Sequence, residues 1–336
     1  MEHYKNPMDV GTIFERTVDL IGKTFVRNIT VTVIFLLLPI VLLTVTANDF
    51  YSSVFTLEQE NLAGAEPDID KLIPFIIRFT FFIISTILFA VGSLLAEMAV
   101  IQIVAGEINE NPVSYPGAIA RTFDKKWIRG IGEEMLKIFA IGGGGALLAI
   151  AVSIVAAIFG SGSGGDGGAF PVLLMFLIFM LVIPAFVYLF IAWNFGLYSI
   201  SINDTRIVES LRESWNLVRG HWWRTFGILI LLMIITQFIV MIISTPFTFG
   251  TMWDVYKEFF TLLNNSKGDV DPDAFRKIQG SLGTGIGIGS GIGAVIRLMI
   301  TPVFTCVMYY DLRSRQYRPA EPEKEPQVFS SPTQEL

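Results

Sequence analysis

Residues 206–226 read RIVESLRESWNLVRGHWWRTF, and the reading of this stretch decides the fold. It lies between two long apolar runs, yet it carries charges of both signs together with Trp215, Trp222 and Trp223. Ile207, Leu211, Trp215, Val218 and Trp222 recur at helical spacing and form one apolar stripe. Asp204 or Thr205 is placed to cap the start of this helix, and Gly220 to end it. An amphipathic helix directly ahead of a spanning segment lies in the headgroup plane. The stretch therefore reads as an interfacial helix of a multi-pass membrane protein, and the expected fold class is all-α.

Composition points the same way. Of the 336 residues, 52% are hydrophobic and 16% charged, and the mean hydropathy is +0.59. A soluble domain carries about 25% charged residues. The deficit is concentrated in runs long enough to cross a hydrocarbon core of roughly 30 Å. Six spans are expected, at 29–47, 71–105, 135–159, 170–201, 223–248 and 281–310. The first run is too long for the apolar region of a signal peptide. Polar loops are expected at 49–70 and 249–280, the latter partly helical from Trp253 to Leu263. Lys and Arg gather in 1–28, 105–137, 203–224 and 311–336, against Lys71, Lys257, Lys267, Arg276 and Lys277 in the opposite loops. Positive charge marks the cytoplasmic side, so both termini are expected there, with the chain in the cell membrane. Residues 1–318 form a single membrane domain, and 319–336, rich in proline and charge, a disordered cytoplasmic tail.

The opening stripe has two counterparts. Val10, Phe14, Val18, Ile21 and Phe25 precede the first span, and Tyr115, Ile119, Phe123 and Trp127 precede the third. Each stripe ends in aromatic-x-Arg, at Arg27, Arg129 and Arg224, and is followed by a two-span hairpin. The chain thus reads as three interfacial helices, each heading a hairpin, in units of about 9–105, 113–201 and 204–310. Repeats in one topology are related by an axis along the membrane normal.

Glu209, Ser210, Ser214, Trp215, Leu217, Arg219 and Gly220 fit a segment of pattern E-S-hydrophobic-basic-x-S-W-x-L-hydrophobic-basic-G. Tyr309, Tyr310, Asp311, Leu312 and Arg313 fit an aromatic-aromatic-Asp-Leu-Arg run closing the last span. In these two stretches, and in its six-span plan, the chain resembles the membrane domain fused to some glycerophosphodiester phosphodiesterases and its stand-alone prokaryotic relatives of unknown function. The resemblance implies a membrane module of a prokaryotic cell and no particular chemistry. The chain departs from the fused proteins in lacking a phosphodiesterase domain, which would need clustered histidines and carboxylates. His3 and His221 lie far apart in the sequence.

Charge within a span is expensive and often functional. Glu97 and Arg297 lie at similar depths and are expected to pair across the second and sixth spans. Two readings stand: a buried structural pair, or a polar pathway for an ion or small solute. Lys23, Arg27, Arg129, Arg219 and Arg224 form a basic, aromatic ring at the cytoplasmic interface. They are candidate headgroup contacts, each attracted to anionic lipid by about 1 kcal/mol. Specific binding of an anionic phospholipid and generic anchoring both fit. Gly283, Gly287 and Gly291 form one i, i+4 row and Gly285, Gly289 and Gly293 a second, which suits close helix packing.

Catalytic, cofactor and metal signatures do not assemble. The glycine rows follow no strand and carry no phosphate-binding lysine. Asp269, Asp271 and Asp273 lack the glycine and bidentate glutamate of a calcium loop. Cys306 is the single cysteine. The expected function is that of a non-catalytic integral membrane protein, associated with lipid or acting as an assembly or regulatory partner. The alternative is a small-solute or ion transporter or channel built around Glu97 and Arg297. Membrane lipids are the expected partners, a protein partner or homo-oligomer fits as well, and no nucleic acid is expected.

Overall fold

A computed structural model describes residues 7–62, 69–160, 169–265 and 272–316. All regular structure among them is helical: α1 (Val10–Leu62), α2 (Ile69–Ile108), α3 (Tyr115–Phe123), α4 (Lys126–Gly160), α5 (Ala169–Ala192), α6 (Gly196–Asn203), α7 (Ile207–Arg219), α8 (Trp222–Asn265) and α9 (Pro272–Gln316). Among the described residues, five stretches are long and apolar enough to cross a membrane: Val10–Val54, Leu72–Ile108, Val182–Asn203, Trp222–Gly250 and Gly287–Gln316. The chain is an all-helical membrane protein. The expected tail lies outside the described residues.

Helix length departs from the sequence reading. The 53 residues of α1 extend about 80 Å at 1.5 Å per residue, more than twice a hydrocarbon core. The expected interfacial helix at 10–25 is not a separate element, because no proline or turn pair interrupts the chain before Pro39. The expected loop at 49–70 is likewise helical as far as Leu62, and α8 and α9 extend through most of 249–280. Once started, a helix gains a hydrogen bond for each residue added, so polar residues without a breaker continue it. On α8, Trp223 and Trp253 are 77% and 51% exposed. Thirty residues of helix separate them by about 45 Å, the thickness of a bilayer with its headgroups. Their spacing matches that of the aromatic belts at the two interfaces of a bilayer.

α9 is wedged between α1 and α8. An added Cβ at Gly287 would lie 2.6 Å from Thr44 Cα, and one at Gly291 2.6 Å from Ile40 Cγ2, both on α1. At Gly289 and Gly293 it would lie 2.7 Å from Thr248 Cγ2 and 3.3 Å from Val240 Cγ1, both on α8. Each glycine row thus seats a different neighbour. Gly285 is buried, and the surroundings of Gly283 lie outside the described side chains. The apolar core gathers at one end of the bundle, around Ile13, Met98, Ile101, Phe195, Tyr198, Phe304 and Tyr309. The expected fourth span is broken at 193–195, between α5 and α6.

Candidate functional site

α7 covers that break. Its buried face is Ser210, Leu211, Ser214, Leu217 and Val218. Trp215, expected at the centre of the stripe, is half-buried and stands edge-on to the Tyr188 ring, 5.2 Å between centroids. Serines displace it because the break needs a polar partner. Ser214 Oγ accepts the Phe195 N–H at 3.0 Å and donates to the Ala192 carbonyl at 2.6 Å. Backbone groups freed inside a membrane have no water to turn to, and this hydroxyl serves two of them. Arg206, rather than Asp204 or Thr205, precedes α7 as its cap, and its N–H donates to Glu209 Oε2 at 3.5 Å. Asp204 instead ends α6 in the left-handed conformation, φ 57°.

Three ion pairs share one pattern. Arg27 Nη2 lies 2.7 Å from Glu107 Oε2, Arg129 Nη1 2.8 Å from Asp204 Oδ1, and Arg224 Nη1 2.6 Å from Asp311 Oδ2. Each arginine ends one of the three stripes, and each carboxylate lies at the end of the helix that returns from the hairpin after it. Sequence reasoning singled out the arginines and missed the carboxylates. The signal was present: Glu107, Asp204 and Asp311 are each the first acid after the apolar run of the returning helix.

The third pair is the most elaborate. Asp311 is wholly buried and also accepts the Met8 N–H at 2.6 Å and Arg315 Nε at 3.1 Å. Arg224 and Arg315 both donate to the Met8 carbonyl, at 2.8 and 2.7 Å. Burial first, then the charges of Arg315 and Arg224, hold the His221 imidazole below its ordinary range against the opposing pull of Asp311. The neighbours of Asp311 complete the clasp. The Tyr309 hydroxyl accepts from Asn203 Nδ2 at 2.6 Å and donates to Glu213 Oε1 at 3.1 Å. Tyr310 accepts from Asn109 Nδ2 at 2.9 Å, and Arg313 Nη1 donates to Asn203 Oδ1 at 3.0 Å. The end of α9 is therefore bonded to the ends of α2 and α6, to α7, to the start of α8 and to Met8. Beside it opens a cleft of about 340 Å³, lined by Glu209, Arg212, Glu213, Asn216, Leu217, Arg313 and Gln316.

Glu97 and Arg297 do not meet, which corrects the expected pair. Tyr198 Oη donates to Glu97 Oε1 at 3.3 Å, and Arg297 Nη2 donates to Gln237 Oε1 at 3.0 Å. Ala96 and Leu298 pack together with Leu36, and the next position on a helix points about 100° away, so Glu97 and Arg297 turn from that seam. Glu133, Glu134 and Lys137, which the sequence reading leaves at the junction of a polar segment and the third span, are brought together by α4. Lys137 Nζ lies 2.8 Å from both Glu133 Oε1 and Glu134 Oε1, and Glu133 is wholly buried. Of the other expected headgroup contacts, Lys23 pairs with Asp19 at 2.7 Å, both exposed. Arg219 is exposed and has no partner among the described residues. No group of three or more His, Cys, Asp or Glu among the described residues is placed to hold a metal ion.

Residues 133–310, more than half of the chain, match the family described as Domain of unknown function (DUF7847). The chain belongs to this family. The DUF7847 segment begins at Glu133 and ends at Tyr310, so it contains the broken fourth span, α7, Ser214 and Arg224, and leaves α1–α3 and Asp311 outside. No curated protein and no solved structure matches the chain.

Proposed function

We propose that this chain is a non-catalytic module of the cell membrane that holds anionic phospholipid at its cytoplasmic surface, through the start of the fifth span. The observation that carries this reading is the set of groups left over there. Arg219 is exposed without a partner among the described residues, whereas the Trp222 indole is packed between Tyr188 and Phe226 with its N–H buried. Trp223, next in sequence, is 77% exposed, as suits a belt residue. Arg27 and Arg129 are each neutralised by one carboxylate, whereas Arg224 and Arg315 share Asp311, so the surplus of positive charge falls on the same side as Arg219.

The accompanying topology has six spans, with α4 as the sixth: its 35 residues reach about 52 Å, enough to cross. Both termini lie on the cytoplasmic side, following the Lys and Arg distribution. Three arginine–carboxylate pairs, each closing its own hairpin, support a threefold repeat of about 9–105, 113–201 and 204–310. The likeness of residues 209–220 and 309–313 to the membrane domain fused to glycerophosphodiester phosphodiesterases supports a membrane module used in lipid handling or assembly. Native mass spectrometry of the full chain, titrated with phosphatidylglycerol, tests the lipid claim. Removing one cation worth about 1 kcal/mol in Arg219→Gln weakens retention roughly fivefold, and Trp223→Ala, which removes the exposed ring beside it, weakens it further. Phosphatidylglycerol held equally by wild type and by the double variant overturns the reading.

A further inference from the structure

We propose that Glu97 on α2 and Glu133 on α4 form an intramembrane proton-binding site, completed by Glu134, Lys137 and Tyr198. Depth comes first. Lys126, at the start of α4, donates to the Ser201 carbonyl near the end of α6, at 2.8 Å. Glu133 follows it by seven residues, about 10 Å along the helix, and Glu97 precedes Glu107 by ten, about 15 Å. Glu97 thus lies well within the Leu72–Ile108 stretch. α4 packs on it there, a Cβ at Gly130 lying 2.7 Å from Met98 Sδ. Both acids therefore belong to a helix seam where an unbalanced charge is disfavoured.

The charges do not balance. Lys137 Nζ stands 2.8 Å from Glu133 Oε1 and 2.8 Å from Glu134 Oε1, so one ammonium faces two carboxylates on its own helix. The charged groups facing Glu133 are Lys137 and Glu134 on α4 and Glu97 on α2. Those facing Glu97 are Glu134 and Lys137, with the Tyr198 hydroxyl from α6. Arg129 and Arg297, the neighbouring guanidinium groups in sequence, are engaged by Asp204 and Gln237. Two acids thus share one ammonium, and Glu97 adds a third carboxylate beside them. A proton held among the carboxylates makes up the difference.

Two further observations point to a built site rather than a chance cluster. Glu133 is wholly buried, and neither of its carboxylate oxygens has a hydrogen-bond partner among the described residues, Lys137 Nζ standing 2.8 Å from Oε1 as a charge neighbour. It sits in a space that Gly196 keeps open: a Cβ there would overlap Glu133 Oε1 and come within 3.3 Å of Leu211. Gly196 directly follows the break at 193–195, and irregular backbone at this depth marks places where protein or water covers it. The side chain of Glu134 is 39% exposed and is the member open to the surroundings. Lys137 can give one of its protons to Glu133 while taking another from Glu134, so it stays an ammonium and the charge total is unchanged. This inference is independent of the lipid reading above.

Infrared difference spectroscopy of the full chain in lipid, exchanged between H₂O and D₂O at neutral pH, tests it. Wild type is expected to show an exchangeable protonated-carboxyl band, which Glu97→Gln or Glu133→Gln reduces by about half or more, while the exposed Glu209→Gln leaves it intact. If either glutamine variant fails to fold, Lys137→Met supplies the test, because loss of the ammonium enlarges the band. Absence of the band from wild type, or a full band in both glutamine variants, or an unchanged band in Lys137→Met, overturns the proposal.

Discussion

Asp311 has no exposure, yet it accepts from Met8, Arg224 and Arg315. Removing one partner of a buried, hydrogen-bonded pair leaves the other charged and unsatisfied, at about 3–5 kcal/mol. Asp311→Asn is therefore expected to lower stability by that order, read from denaturation of the purified protein in detergent. Lys23→Gln is the matched control. Its pair with Asp19 is exposed at both ends, and such i, i+4 pairs contribute about 0.5 kcal/mol or less. A loss in the control equal to that in Asp311→Asn contradicts this assignment. Single residues were legible as types and not as pairs. The Tyr309–Arg313 run was recognisable from its pattern, but the partners of Asp311 include a main-chain group 303 positions away, and nothing local announces that.

Helices were legible from spacing, their ends much less so. Apolar runs marked five stretches long enough to cross a membrane, and the helical stripe marked the α7 segment. What they could not show is that polar stretches such as 49–62 continue a helix already formed, since nothing there breaks it. The break at 193–195 went unread for the opposite reason: Trp193, Asn194 and Phe195 contain no proline, and the Ser214 hydroxyl that sustains the break comes from a different helix. Glycines separate by element in a way that can be measured. At Gly287 a methyl group would lie 2.6 Å from the Thr44 backbone, so Gly287→Ala forces α1 and α9 apart at about 1–3 kcal/mol. At Gly142 it would meet nothing within 4 Å, and Gly142→Ala gains up to about 1 kcal/mol of helix propensity. Thermal unfolding of the two variants should move in opposite directions. Equal destabilisation would mean that α9 does not pack on α1 through this glycine.

For the whole molecule, the distribution of Lys and Arg carries a topology that can be checked directly. Cys306 is wholly buried, so thiol labelling of an introduced cysteine has a silent background. With six spans and cytoplasmic termini, Ser163→Cys reacts with an impermeant reagent in intact cells, and Arg206→Cys reacts after the membrane is opened. Labelling of both positions in intact cells would remove the six-span arrangement. Whole-molecule packing was the least legible scale. Spacing gives each helix a face, but the choice of neighbour depends on which faces fit, and two interleaved glycine rows serving two helices become apparent once α1, α8 and α9 are assembled.

That arrangement also orders events in time. α1 leaves the ribosome well before α9, so Thr44 and Ile40 enter the bilayer long before the glycines that seat against them have been translated. Until then α1 can be held by α2, through the close approach at Gly92, and by α3, where the Phe35 and Phe123 rings lie 6.0 Å apart. A nascent chain halted after α8 would carry an unfilled slot along α1 and no Asp311 to hold Arg224. Completion of the fold is thus a late event, and quality-control machinery in the membrane has a distinct unfinished state to detect.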